Sequence, residues 1–421
     1  MEGLLPLRPA LRRSLAASAR WFNSMIDGAT HRLHYAFQNG QHVDRSCPVR
    51  DIGTAADLAV LSAATGSHEF DEVIGTTLQH YESLLVRHPL PQGTSWAHLR
   101  SRRSGLGEPS SVAHSAMLML ALAAWEGPAG EAAGEAAARR GPLCELAAGL
   151  LHQQQQRGDG AFAVYFEPAE YASSDAGWQL YGGEAAYALA TAFGGLHNPA
   201  LLAAAARALR AYQAKYRRGG VDPDERVFFA NWQMQGGGTL HCHSTDPGER
   251  AWAAAYLHEL QADIVASRFY DDVKQAPDQQ ATVEVACALE GLAFCLQVSL
   301  CAVAAAEAEG DAAASAVESC RLDLYAACAR IAVAFLLQVQ VAEGPGVPAG
   351  AVGGFPHSLS WGAGQRVDVT GHVVCAFVKL LALLDACSPR PEDHSNANWG
   401  GSRSRQQQLW QRQHRRKVGA R

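Results

Sequence analysis

The chain has 421 residues, of which 48% are hydrophobic and 18% are charged, and its formal net charge is -6. This composition is typical of a globular protein with a sizeable core, and the mild charge excludes a body that attracts nucleic acid through a strong positive field. The ten cysteines form no CxxC pair, which excludes a regular disulfide scaffold.

The N-terminal segment, residues 1–45, begins with a basic stretch. Residues 4–21 carry four arginines and no acidic residue. This composition is typical of an organellar transit peptide, and an ordinary first helix is the alternative. We therefore predict an intracellular protein, cytoplasmic or organellar. No membrane contact is predicted, because the longest apolar run, residues 291–306, is too short for a comfortable span.

Helical hairpins are predicted along the middle of the chain. Residues 55–85 predict two helices around Gly66, because apolar residues recur at helical spacing and glycine can take a positive φ. In residues 183–216, Gly194-Gly195 is predicted to end one helix, and Asn198-Pro199 to cap and start the next.

The turns recur at a fixed interval. Gly66 and Gly194 lie 128 positions apart, and Gly160 and Gly354 lie 194 apart, so both intervals are close to multiples of 64 residues. A repeated unit that cannot bury its apolar face alone must stack on its neighbours. About six hairpins are predicted within a domain of residues 46–387, and they begin near Asp51, His114, Glu184, Trp232, Glu284 and Asp368.

The C-terminal tail, residues 388–421, is predicted to be disordered. Its last part, Ser402 to Arg421, is rich in arginine and has no acidic residue. A weak anion-binding or nucleic-acid-binding arm is the alternative.

The all-α pattern resembles the (α/α)6 toroids called six-hairpin glycosidases. The resemblance rests on Tyr181-Gly182-Gly183-Glu184-Ala185-Ala186 at a helix start and on the turn Gly353-Gly354-Phe355. Relatives by architecture include sugar 2-epimerases, uronyl epimerases and polysaccharide lyases. The resemblance implies six helical hairpins around a central cavity, and a sugar or glycan as the substrate.

A second resemblance concerns residues 156–162. The pattern Gln156-x-x-Asp159-Gly160-x-Phe162 is similar to the Gln/Trp repeat of terpene cyclases, which use a related helical toroid. Phe162 stands where tryptophan is usual, and the aspartate-rich motif of those enzymes is missing. A terpenoid-cyclase-like toroid would have an aromatic, mostly apolar cavity.

Polar residues near the predicted inner-helix starts are the candidates for chemistry. Charges are rare in this chain, and a buried unpaired carboxylate costs several kcal/mol, so charges inside apolar helices indicate a site. The catalytic candidates are Glu284, Glu184, Asp51, Asp368, His114 and His372. The candidates for binding substrate are Arg50, Tyr181, Trp232 and Arg366.

Two sugar reactions are consistent with these residues. Glycoside hydrolysis needs two carboxylates, for which Glu284 and Glu184 are the first choice and Asp51 and Asp368 the alternates. Epimerisation needs an acid and a base on opposite faces of one carbon, for which His114 and His372 are the choice.

Each candidate also has a structural alternative. Two structural ion pairs that link hairpins are an equally consistent interpretation of Arg50 with Asp51 and of Arg366 with Asp368. Glu184 is also consistent with an acidic residue that stabilises the start of a helix through the helix dipole. A non-catalytic helical scaffold would pair all its acids in this way. No metal site and no cofactor are predicted, and the oligomeric state is not predicted.

Overall fold

The computed structural model describes residues 1–45, 47–91, 93–101, 109–125, 127, 133–359 and 364–387, without the side chains of 133–138. The predicted tail, residues 388–421, lies outside these described residues. Within them, six helices form an inner ring in which each helix packs on the next and the last packs on the first. They are α2 (Pro48–Thr65), α4 (Val112–Ala124), α6 (Trp178–Leu196), α8 (Arg226–His243), α11 (Thr282–Glu309) and α13 (Val367–Cys387).

A second layer of helices covers this ring from outside. Five outer helices follow their inner partners along the chain, and they are α3 (Asp71–Glu82), α5 (Ala133–Gln155), α7 (Pro199–Arg217), α9 (Pro247–Ala266) and α12 (Ala312–Val339). The outer partner of α13 is α1 (Arg8–Ser24), from the start of the chain. A short helix, α10 (Phe269–Gln275), packs on α9 and α12.

Short strands lie in the connections at the end of the ring where the inner helices begin. The strands that precede α2 are β1 (Ile26–Asp27), β2 (Arg32–Leu33), β3 (Ala36–Gln38) and β4 (Gln41–Val43). Those that precede the later inner helices are β5 (Leu85–Pro89), β6 (Ser95–Leu99), β7 (Ser110–Ser111), β8 (Tyr165–Glu167) and β9 (Gln365–Arg366). Strand β9 pairs with β3, which joins the two ends of the inner ring.

The prediction of an all-α toroid of six hairpins is confirmed. All six predicted hairpin starts fall within the six inner helices found in the described residues. Gly66 ends α2 with φ +69°, and Asn198 caps α7 by accepting a 3.0 Å hydrogen bond from the Ala200 N–H, both as predicted. The prediction that Gly194-Gly195 ends a helix is wrong, because α6 continues to Leu196 and ends at His197 in the left-handed region.

Close contact between inner helices depends on small residues. A side chain at Gly183 of α6 would place its Cβ 2.6 Å from Cβ of Trp232 on α8. Gly183, one of the glycines that carry the family resemblance, is therefore needed for helix packing, because α6 and α8 approach too closely there for a larger residue.

The first and last helices close the outer layer. Asp385 of α13 pairs with Arg8 and with Arg12 of α1, the latter at 3.1 Å. Trp21 of α1 donates a 3.2 Å hydrogen bond to Gln365. Gly353 lies against the α1 backbone with φ +94°, and a Cβ there would come within 2.2 Å of the Ala17 carbonyl oxygen.

We predict that Gly353→Ala lowers the free energy of unfolding by about 3 kcal/mol or more, since the added methyl group has no space and the backbone angle is unfavourable. Gly346→Ala is the matched control, because Gly346 also has a positive φ, +78°, but a Cβ at that position would meet nothing within 4 Å. The control should cost about 1 kcal/mol. Urea unfolding measures both losses, and equal losses would contradict the close approach of α1 to Gly353.

Candidate active site

A cavity of about 1660 Å³ occupies the centre of the ring. All six inner helices contribute to its lining, and it extends from the starts of these helices to their ends. Such a space is larger than the roughly 300–1000 Å³ of most small-molecule sites. Its polar side chains include two groups that matter for chemistry, one at the mouth where the helices start and one in a cluster halfway along the helices.

The central cluster is built around Glu290 of α11. Its Oε2 lies 2.7 Å from Nδ1 of His372, and its Oε1 accepts a 2.7 Å hydrogen bond from the ammonium group of Lys379. Lys379 also donates to Oε1 of Gln235 at 2.7 Å, and Gln235 donates to Asn231 at 3.0 Å. Both oxygens of the Glu290 carboxylate are thus held by cationic side chains of α13.

The charges in this cluster follow from its contacts. Burial opposes ionisation of Glu290, but Lys379 and His372 outweigh it and lower the pKa of Glu290. Burial likewise disfavours the cation on His372, but Cys287 and Glu290 raise the pKa of His372 well above its ordinary value. The same carboxylate raises the pKa of Lys379 against burial. Glu290 is therefore ionised, and both of its partners carry a proton.

Glu184 of α6 lies on the side of the ring opposite His372 and Lys379 of α13, because α6 and α13 are three positions apart in the circle of six inner helices. It is only 5% exposed, and its Oε2 has no hydrogen-bond partner among the described residues. Burial raises the pKa of Glu184 to about 8, although His372 partly opposes this shift. A carboxyl group in this state can hold a proton at neutral pH or release it slightly above.

Asp57 of α2 is a third titratable group at this level. Its Oδ1 accepts from the Cys375 thiol at 2.9 Å. Burial raises the pKa of Asp57 to about 6, while His372 and the Cys375 thiol oppose the shift.

The mouth of the cavity carries an ion-pair group. Arg366 forms two hydrogen bonds to Asp368, at 2.9 and 2.8 Å, and Arg50 reaches the same carboxylate at 3.2 Å. Arg50 also contacts the hydroxyl group of Tyr35. Two guanidinium groups thus neutralise Asp368, which agrees with the structural alternative of an ion pair between Arg366 and Asp368. Both arginines also line the cavity.

Eight of the ten predicted site residues line the cavity in the described part of the chain, and they are Glu184, Asp368, His114, His372, Arg50, Tyr181, Trp232 and Arg366. His114 lies at the start of α4, where its Nδ1 is 2.9 Å from the Ser111 hydroxyl oxygen in a capping arrangement. The ring of Trp232 lies 6.1 Å from that of His372, so this indole flanks the central cluster.

The other two predicted residues, Asp51 and Glu284, are outside the set of described residues that line the cavity. Asp51 faces the outer helix α3, where it accepts a 2.6 Å hydrogen bond from Tyr81. Glu284 is half-buried near the start of α11, where burial raises its pKa with a further contribution from Asp224 and Glu225. The structure therefore does not bring Glu284 and Glu184 together in the cavity.

Sequence reasoning chose Glu284 over Glu290 on this helix, and it missed other residues of the cluster, among them Asp57, Cys287 and Lys379. A signal for part of it was present. Asp368, His372, Cys375 and Lys379 recur at helical spacing in an otherwise apolar segment, which predicts one polar stripe on α13.

One group of described residues has the donor atoms for a metal ion. The potential ligand atoms of Cys287, Glu290 and His372 lie within 4.8 Å of one another. However, Glu290 is already neutralised by two cationic neighbours, one of which is the fixed ammonium group of Lys379. A further cation would be repelled by Lys379 and would have to displace the His372 proton, so the charge balance disfavours a metal here.

Three described helices, α11, α12 and α13, are long and apolar enough to cross a membrane by length and composition alone. In this structure α11 and α13 belong to the inner ring, and their apolar residues pack against neighbouring helices.

No known protein family matches the sequence, and no curated protein matches it. Among solved structures, a sugar epimerase from a ruminal bacterium is similar, with a TM-score of 0.57 and 11% identity over 88% of this chain and 98% of that chain. A GH76 α-mannanase of Bacteroides thetaiotaomicron has a TM-score of 0.49 and 9% identity, over 88% and 95% of the two chains. At 11% identity the epimerase shows a shared fold alone, and it confirms the predicted six-hairpin architecture.

We predict that Glu184→Gln stabilises the protein at pH 8 relative to the wild type. The pKa of Glu184 is raised in the folded state, so its stability contribution is complete below the ordinary value of 4.5 and is lost as the pH rises towards about 8. The amide cannot ionise and avoids this loss, which is on the order of 3 kcal/mol. Urea unfolding at pH 5 and pH 8 measures the effect.

Glu309→Gln, at an exposed position of α11, controls for the simple loss of a carboxylate. A difference between Glu184→Gln and the wild type that stays constant from pH 5 to pH 8 would show that Glu184 is not buried in the way described.

Proposed function

We propose that the protein is an enzyme that acts on a sugar inside the central cavity, and that its reaction is epimerisation by proton transfer at carbon. The observation that carries the proposal is the pair of Glu184 and His372, which face the cavity from opposite sides of the ring. The shared fold with a sugar epimerase supports the substrate class by analogy.

The contacts of Glu290 favour epimerisation over hydrolysis. A glycosidase carboxylate must attack the sugar or activate a water, which requires a free oxygen. Both oxygens of Glu290 are occupied by His372 and Lys379. A carboxylate held in this way orients the imidazole and stabilises its charged form, so Glu290 is a positioning residue and His372 is the group that reaches the substrate.

The proton inventory gives each residue a role. Epimerisation at a carbon next to a carbonyl group removes a proton on one face and returns one on the other. Glu184 in its ionised form is the base, and the His372 imidazolium is the acid. In the reverse direction the two roles are exchanged. Arg50 and Arg366 at the mouth orient sugar hydroxyl groups, and Trp232 offers a flat surface beside His372.

Hydrolysis stays a second candidate because of one observation. Glu184, with a raised pKa, and Glu290, with a lowered pKa, form a neutral and an ionised carboxyl group in one cavity. That combination is the one that glycosidases use. The difference from the sequence prediction is that Glu290 takes the place of Glu284. Hydrolysis would require Glu290 to release His372 or Lys379, since both of its oxygens are occupied.

We predict that Glu290→Gln and His372→Asn each lower kcat/KM on the preferred sugar by about 100-fold or more, because each removes part of the acid group. Glu284→Gln is the matched control, since Glu284 lies on the same helix but does not line the cavity. A panel of reducing sugars, uronates and glycans provides the assay. Loss of activity in Glu284→Gln but not in Glu290→Gln would reverse the assignment in favour of the sequence prediction.

We also predict that the sugar exchanges one carbon-bound hydrogen with solvent, which NMR in D2O detects, and that kcat/KM rises with pH up to about 8. The rise follows because the base, Glu184, must be ionised and its pKa is raised to about 8. Glu184→Gln should abolish both exchange and turnover. Release of a reducing end without exchange at carbon would instead establish hydrolysis.

A further inference from the structure

The part of the cavity beyond the central cluster differs from the mouth. It extends from the level of Lys379 to the ends of the inner helices, over about seven residues of α13, or about 10 Å at 1.5 Å per residue. We name this part the apolar chamber, and its lining includes Val60, Leu120, Ala192, Phe294, Val378 and Ala382.

The apolar chamber has no charged lining residue, among those the structure describes, until its far rim at Arg139, Arg140 and Asp385. The ionisable side chains that it does contain are neutral. Burial raises the pKa of Cys242 to about 12 and lowers the pKa of His243. Gln297 directs its amide group to the Cys242 sulfur, at 3.5 Å, so it is also engaged with the wall.

Thr191 and Thr239 also line the cavity at this level, but their hydroxyl oxygens are buried in the wall. The space is therefore poorly suited to water or to a second sugar. A buried water needs two to four polar partners, and sugar hydroxyl groups need as many. Methylene groups, in contrast, gain about 0.8 kcal/mol each on leaving water. The chamber is also continuous with the central cluster, so one ligand can occupy both.

We propose that the substrate is a sugar that carries a hydrocarbon chain, with the sugar at the central cluster and the chain in the apolar chamber. This inference rests on the proposed function for the position of the sugar. The chamber depth of about 10 Å matches an extended chain of roughly eight carbon atoms.

The test is a chain-length series measured by isothermal titration calorimetry. The probes are methyl, butyl, hexyl and octyl β-D-glucopyranoside, each below its micelle concentration. Affinity should rise about threefold to fourfold for each added methylene group and level off near octyl. A flat series would overturn the proposal.

Variants that fill the chamber localise the effect. Val60→Phe and Ala382→Phe add a ring at positions on α2 and α13 that are partly exposed to this space, so neither overfills the packed core. Both variants should abolish the gain in affinity with chain length and leave the affinity for the methyl glucoside unchanged. Val317→Phe is the matched control on the outer helix α12, where the side chain is 58% exposed. A series that is unchanged in both filling variants would also overturn the proposal.

A probe with a diazirine at the end of its octyl chain tests the wild-type protein alone. Irradiation should attach it to residues 117–124 or 293–297, and attachment to the outer helices instead would contradict the proposal. The two proposals can fail separately. Absence of sugar turnover with an intact chain-length series rejects the enzyme, whereas turnover with a flat series rejects the chamber.

Discussion

The structure depends on one constraint, which is that no hairpin in it can bury its apolar surface alone. Each inner helix is apolar over most of its circumference, because it contacts two inner neighbours, an outer partner and the cavity. Only a closed circle satisfies all of these contacts for every unit. Ring closure therefore explains both the alanine- and glycine-rich helices and the central space, since six helices around a common axis cannot fill the middle with side chains of ordinary size.

The central cluster buries a carboxylate together with two cations inside the ring. Removing a carboxylate and two cations from water costs several kcal/mol for each ion, and the mutual attraction of Glu290, His372 and Lys379 repays it only because the geometry is close. A hydrophobic replacement would serve stability at least as well. The cluster therefore supports the site proposed above, and so does Glu184, which is buried opposite it with an oxygen that has no hydrogen-bond partner among the described residues.

Much of the architecture could be predicted from the sequence, because hairpins are specified by local patterns such as Gly66 and the Asn198 cap. The side of a helix that faces the cavity could not, because it depends on how neighbouring helices rotate as they pack. Asp51 and Asp57 are six residues apart, and so are Glu284 and Glu290, which separates each pair by about 120° around the helix. The cavity side is occupied by Asp57 and Glu290, so the sequence identified the correct helices but the other face.

The pairing of α1 with α13 has a consequence for how the chain reaches this state during synthesis. Helix α1 precedes the six inner helices along the chain, and its partner α13 is the last of those six, so the apolar side of α1 stays uncovered until nearly the whole ring has been made. Contacts between segments so distant along the chain make folding slow and leave partly built rings prone to aggregation. A chaperone that shields the nascent α1 helix would therefore improve the folding yield of this protein more than that of a protein whose helical hairpins pack together as they are synthesised.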